Sequence, residues 1–514
     1  MNLLIENCSI WPEGRGSVLV RGGVIAKVSG SGTQVASGDT MLIDAGGGTL
    51  LPGLTDSHCH PFELGWLKRN VDLRGAANIT AVRLRLATKV RGSRPGDWVV
   101  GMGWDQELFP DRRMPSKSDI DDISPANPII LSRVCGHIGL LNTKAIELLG
   151  LGAQTGDEFE RDPYGGLTGI VKERALAGAY AKVPGQTPDA CADELLSAEV
   201  EAARSGLCTL HCILSPDSFQ QELEAMVALK ASEKLSLRYR VYVPPEAIGY
   251  VEEKRIRERL KGDGVKINGV KLYADGSLGA RTAALREPYT DDPTNTGLLR
   301  YGDEELSDKV AEGDEKGYQV IIHAIGDRAV EQATEALSEV TGGNNPRAHR
   351  IEHASLLPRD LRQKIAKHSI RLTVQPSFIT SDTWAKSRLG EERVRDLYPL
   401  KSIVSGGILA SGGSDAPVES ISPILGAWSA MVGSGESPGE RLGLGDAFDL
   451  YAWRGSANGL EDRINKMVEE GMPANLTLLD SDISHLHPAM LRKVGVSATV
   501  ADGGIVYSAW GTAR

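Results

Sequence analysis

Leu51-Pro52-Gly53-Leu54-Thr55-Asp56-Ser57-His58-Cys59-His60 opens as an apolar strand and ends in two histidines one residue apart. Alternate residues of a strand face the same way, so His58 and His60 can reach one ion while Cys59 points into the wall behind them. Seven more strand patterns follow the first at 53–57, over 206–210, 237–243, 269–273, 318–322, 349–352, 370–375 and 407–412. Polar or amphipathic helix patterns fill most of the gaps, at 219–232, 246–260, 303–315, 327–339 and 358–367. Strand and helix in alternation imply parallel βα units, and eight such units close into an α/β fold of the (β/α)8 TIM-barrel type.

The two ends of the chain have a different character. Residues 1–50 read as short strands without a helical period, at 2–10, 16–21, 24–29 and 40–44. Strand patterns return at 476–480, 494–501 and 504–507. Ends of one type around a different middle predict one small β domain built from 1–50 and 456–514, with the barrel over 51–455; two unrelated β tails are the second choice. The first two barrel strands lie roughly 150 residues apart, far beyond an ordinary βα loop. An inserted subdomain is therefore expected at about 66–190, with strand patterns at 97–103 and 128–134.

Composition narrows the function. Among 514 residues, 57 Lys and Arg face 68 Asp and Glu, a net charge of −11, and no basic run is present. Neither a nucleic-acid backbone nor an anionic membrane surface suits such a chain as main partner, which leaves a small-molecule substrate. Apolar residues make up 41%, enough for a core, so a disordered chain is excluded. No stretch reaches the ~20 apolar residues of a spanning helix, and the opening Met1-Asn2-Leu3-Leu4-Ile5-Glu6 lacks the basic region of a signal peptide. The expected location is cytoplasmic. Six cysteines are too few for a disulfide scaffold and read as buried thiols, with Cys208-x-x-x-Cys212 a weak metal candidate.

Chemistry gathers at the strand ends, which in a barrel is the face where active sites are built. The fifth strand ends in His323, the sixth reads His349-Arg350-Ile351-Glu352-His353, and the eighth runs into Gly412-Gly413-Ser414-Asp415. The fourth, Gly269-Val270-Lys271-Leu272-Tyr273, carries a lysine that would be a costly buried charge without a purpose. Carbamylation by CO2 would supply one, turning the amine into a carboxylate that bridges two cations. Any of these residues alone could be structural; five coincidences at five strand ends could not. His349 is expected to pack, His368, His485 and His487 to lie on the surface, and Lys266 to be solvated ahead of the strand. Four imidazoles, Asp415 and a modified Lys271 suit Zn2+ or a similar divalent ion, one or two per chain with two favoured. Such an ion lowers the pKa of bound water toward ~7, and Asp415 can act as general base and then general acid in hydrolysis of a carbonyl-type bond.

With these stretches, together with Gly101-Met102-Gly103-Trp104-Asp105, Val270-Lys271-Leu272-Tyr273-Ala274-Asp275-Gly276-Ser277, His323-Ala324-Ile325-Gly326-Asp327 and Gly413-Ser414-Asp415-Ala416-Pro417, the chain resembles the amidohydrolase superfamily. It is most similar to the branch of amidohydrolase family 3 that includes N-substituted formamide deformylase. The resemblance implies a barrel carrying a β-sandwich from both chain ends, and metal ligands at His58, His60, Lys271, His323, His353 and Asp415. It also suggests substrate contacts at Trp104, Asp105, His137 and Arg281. His211 stands where relatives often have an acidic residue, and it is a further pocket candidate. Dimers are common among relatives, so a homodimer is possible. The expected activity is metal-dependent hydrolysis of a C–N bond in an amide, formamide or cyclic amide by activated hydroxide. A deaminase or a phosphotriester or lactone hydrolase is the alternative on the same site, and a non-catalytic barrel the remote one.

Overall fold

A computed structural model describes residues 2–510 except 31–39, 134–137, 157, 181, 184–186, 263 and 462–465. Its largest feature is a parallel sheet of eight strands: β1 (Leu54–Cys59), β2 (Leu207–Ile213), β3 (Arg238–Val243), β4 (Val265–Tyr273), β5 (Gln319–Ala324), β6 (Arg350–His353), β7 (Arg371–Val374) and β8 (Ala410–Gly412). They pair in sequence order from β1 to β8, a nearly closed barrel. All seven residues of β2 are buried, as expected of a parallel strand covered on both faces.

Two expectations about elements change. β4 begins at Val265, so Lys266 lies within the strand and is half-buried rather than ahead of it. The predicted helix over 246–260 breaks in two, Ala247–Glu253 and Ile256–Arg259, because Arg255 takes a left-handed conformation (φ 52°) and Ile256 is buried directly after it.

Register layers the barrel interior. Lys271, Ile321, Arg350 and Arg371 are lateral partners across β4–β7, and Tyr273, His323, Glu352, Thr373 and Ser411 form the next layer toward the strand ends. Lateral partners in parallel strands face the same side, so the functional strand ends stand over a polar interior.

Strands from both chain ends make one mixed sheet in the order Gly504–Ser508, Val496–Ala501, Leu476–Leu479, Thr49–Pro52, Asn2–Ile10, Gly14–Arg21 and Val24–Gly30, with Thr40–Asp44 paired beside Asn2–Ile10. The Thr477 hydroxyl donates to the Gly206 carbonyl and the Thr499 hydroxyl to the Ala203 carbonyl, each at 2.7 Å, which ties this sheet to the barrel at the entry to β2.

A second compact unit spans Glu63–Ser197. It has its own six-stranded sheet, in which alternate residues feed two apolar clusters. Val99, Ile129, Leu140 and Ile170 enter one, and Val100, Ile130, Leu141 and Val171 enter the other. Among the described residues, no helix is long and apolar enough to cross a membrane.

Candidate metal centre

Backbone hydrogen bonds stitch the end of β1 to the loop after β8. Asp415 N–H donates to the His58 carbonyl at 2.7 Å, and His60 N–H donates to the Ala416 carbonyl at 2.8 Å. Asp56 Oδ1 accepts from Ser414 N–H at 3.0 Å and His58 N–H at 3.1 Å, fixing both segments on one carboxylate. Gly413 is required here, since a Cβ would stand 2.6 Å from His58 Cβ.

The result brings Asp415 Oδ1 to 3.2 Å from His58 Nε2 and 3.4 Å from His60 Nε2. One nitrogen from each ring and one Asp415 oxygen lie within 4.8 Å of one another, a spacing that one cation could span. The His353 ring is centred 4.9 Å from His58 and 4.4 Å from His323. His353 (φ 69°) and Asp415 (φ 58°) both hold left-handed backbone conformations, uncommon for non-glycine residues and concentrated at functional sites.

Electrostatics keep the nitrogens free to ligate. Burial, then the Lys271 charge, depresses His323 to about 3, and burial with His323 beside it holds His353 well below its ordinary range. His323 Nε2 donates to the Gly276 carbonyl at 3.0 Å, which leaves Nδ1 as its bare nitrogen. Burial would raise Asp415, but its contacts with the His58 and His60 rings outweigh it and hold the carboxylate well below the usual range. Lys271 is fully buried, its Nζ has no hydrogen-bond partner, and burial brings it down to about 8.

These residues fit a divalent metal. His58 faces a carboxylate at each ring nitrogen, Glu352 at Nδ1 and Asp415 at Nε2. A neutral imidazole has one N–H, so a second positive centre belongs at the Nε2 side, and His60 Nε2 converges on the same oxygen. The unpartnered Lys271 amine is the other sign of an incomplete polar cluster.

The remaining candidates are placed as follows. His211 is fully buried lower in the barrel, its Nδ1 accepting from Arg350 Nη1 at 3.2 Å. Arg281 pairs with Asp291 at 3.1 Å on the loop after β4. In the second unit, Trp104 is buried in an apolar cluster and its Nε1 donates to the Leu131 carbonyl at 3.4 Å, while Asp105 pairs with Arg133 at 2.9 Å. His137 lies outside the described residues. In the same unit, Trp104 and Phe109 are core residues of one apolar cluster, and Trp98 and Phe159 are half-buried against the other.

Two groups were not singled out from sequence. Glu352 lies behind His58, and its signal was a charge inside a buried strand, the argument applied to Lys271. Gln375 follows β7 by one residue; by alternation with inward-facing Thr373 it points into the barrel mouth, and its buried Nε2 has no hydrogen-bond partner.

A barrel whose strand ends gather His58, His60 and Asp415 can hold a metal ion, and metal-dependent hydrolases are among the proteins it is similar to. The chain belongs to the amidohydrolase family, whose model matches residues 41–507. It is 32% identical to the putative amidohydrolase YtcJ of Bacillus subtilis (strain 168) over 96% of each chain. It is 26% identical to an N-substituted formamide deformylase of Arthrobacter pascens over 96% of this chain and 95% of that one. The crystal structure of an uncharacterized metal-dependent hydrolase from Pyrococcus furiosus superposes with a TM-score of 0.78 at 30% identity, covering 94% of this chain and all of the other.

Proposed function

We propose that the chain hydrolyses a carbon–nitrogen bond of an amide, formamide or cyclic amide, using Zn2+ held by His58, His60, Lys271, His323, His353 and Asp415. The observation that carries this reading is the meeting of His58, His60 and Asp415 around one point, above a buried Lys271 amine that lacks a hydrogen bond. When bound, the metal polarises the substrate's carbonyl oxygen and lowers the pKa of water from 15.7 toward ~7.

The chain's own groups do the rest. Lys271, brought down to about 8, attacks CO2 through Nζ and releases a proton to become a carbamate, which would supply an anionic ligand to the metal. Ionised Asp415 accepts the proton of the attacking water and returns it to the leaving nitrogen as the C–N bond breaks. Gln375 Nε2 offers a donor to the substrate oxygen. The name of the Arthrobacter relative supports a C–N bond as the target. A cytoplasmic place of action belongs to the same proposal.

Elemental analysis of the parent and Lys271→Ala, followed by a panel of N-substituted formamides, amides, cyclic amides and esters, tests it. About two Zn2+ per chain, fewer in the variant, with turnover of a C–N substrate is the expected result. Neither metal nor activity after reconstitution would refute it, and turnover confined to lactones or phosphotriesters would reassign the reaction.

A further inference from the structure

Glu352 is wholly buried, and its two oxygens serve different partners. Oε2 meets His58 Nδ1, and Oε1 accepts from Arg350 Nε at 2.5 Å. Arg350 is buried as completely. Its Nη2 donates to the Ser57 carbonyl at 3.1 Å, and its Nη1 faces the Tyr242 hydroxyl at 3.0 Å and the Asn458 carbonyl at 3.1 Å. The Tyr242 hydroxyl in turn donates to Gln319 Oε1 at 2.7 Å. Ser57 is the residue before His58, so the contacts close a ring from the His58 imidazole through Glu352 and Arg350 back to the backbone beside His58.

We propose that Glu352, held in place by Arg350, is a positioning residue that commits His58 to carry its proton on Nδ1 and thereby presents Nε2 as the ligand nitrogen of the metal centre. The inference rests on the metal-centre reading above. An ionised carboxylate can only accept, so His58 Nδ1 must donate. The buried Arg350 guanidinium at 2.5 Å from Oε1 pairs with Glu352 as a carboxylate, which leaves Oε2 to accept from His58. Arg350 fixes the direction of the acceptor as well as its charge, because the guanidinium grips Glu352 from β6 and the Ser57 carbonyl from β1 together. The imidazole therefore cannot rotate or exchange its proton without leaving a buried carboxylate oxygen short of its donor. Carboxylates behind ligating histidines act this way in metal sites generally, and their loss typically weakens metal binding 10–100-fold.

The test uses the full-length protein. A glutamine at 352 can turn its NH2 toward Nδ1 and drive the proton to Nε2, so Glu352→Gln is expected to bind Zn2+ about 10–100-fold more weakly in chelator competition. Its Co2+ form should show an altered visible spectrum, and Glu352→Asp should recover part of the affinity. In the metal-free parent, 15N-histidine NMR assigned with His58→Gln is expected to find the His58 proton on Nδ1. A bare Nδ1 in the parent would overturn the proposal, as would folded Glu352→Gln with the parent's Zn2+ affinity and Co2+ spectrum. If Glu352→Gln does not fold, the parent's NMR signal alone decides. A parent that binds no metal would refute the metal-centre reading, and the protonation of Nδ1 would still be read independently.

Discussion

Asp415 holds His58 twice: its backbone N–H donates to the His58 carbonyl at 2.7 Å, and its carboxylate Oδ1 stands 3.2 Å from the same residue's Nε2. The first contact spans the seam between the last and first barrel strands, and the second turns that seam into half of a cation site. Closing the barrel and assembling the site are thus a single event. Residues that govern how closely the seam closes should govern metal binding as well.

Gly413 is the most direct case. A Cβ there would meet His58 Cβ at 2.6 Å and His58 backbone N at 2.8 Å, and neither is the end of a flexible side chain that could swing away. Gly413→Ala is expected to cost about 1–3 kcal/mol as an overpacking change. It should also weaken Zn2+ binding at least tenfold, because the strain falls on a ligand. Thermal melts of the metal-free protein and a chelator titration measure the two effects separately. A variant matching the parent in both would show that the seam gives more easily than its contacts imply.

The Asp415 carboxylate carries the proposed proton transfer, and its ionised state is set by His58 and His60 working against burial. Asn keeps the shape and one oxygen but cannot take a proton. Asp415→Asn is therefore expected to retain metal and lose about 10²–10⁴-fold in kcat, the span typical of a lost general base. Metal analysis and steady-state rates on the same preparation test this. Full turnover in the variant would remove Asp415 from the proton path.

The barrel was legible in the sequence because each strand is a short apolar run closed by a polar strand end, a pattern that survives without knowledge of neighbours. Less was legible where the pattern is mixed. Lys266-Ile267-Asn268 hides the first turns of β4, since half-buried residues of alternating polarity resemble a loop, and the break at Arg255 has no glycine or proline to announce it. For the candidate site, strand ends alone picked out the ligand types. Glu352 could be read only as a charge in an odd place. Its task depends on which side chain β1 brings opposite, and that follows from the closure of the barrel. The partner of Arg281 was hidden for a related reason: Asp291 lies ten residues further along a loop whose path no local pattern fixes.

Lys271 supplies a prediction about how the metal is loaded. At a pKa of about 8, roughly a tenth of the amine is neutral at pH 7 and most is neutral at pH 9, whereas an ordinary lysine is almost wholly protonated across that range. Reaction with CO2 needs the neutral amine. Reconstitution with Zn2+ is expected to be faster and fuller with added bicarbonate, with the benefit of bicarbonate absent in Lys271→Ala. Equal metal uptake with and without bicarbonate in the CO2-stripped parent would argue against a carbamate.

The second unit yields a prediction about stability that involves no metal. Burial pushes Glu194 up to about 7 against the opposing charge of Arg69, while in the unfolded chain it returns to its ordinary value of 4.5. Between these pH values the native state binds more protons than the unfolded one. Stability contributed by this group is therefore complete below about pH 4.5 and falls as the pH rises toward 7. Glu194→Gln removes the titration, so its melting temperature should fall less than the parent's between pH 5 and pH 8. Differential scanning calorimetry across that range reads the difference, and parallel pH profiles would show that Glu194 ionises in the native protein as easily as in the unfolded chain.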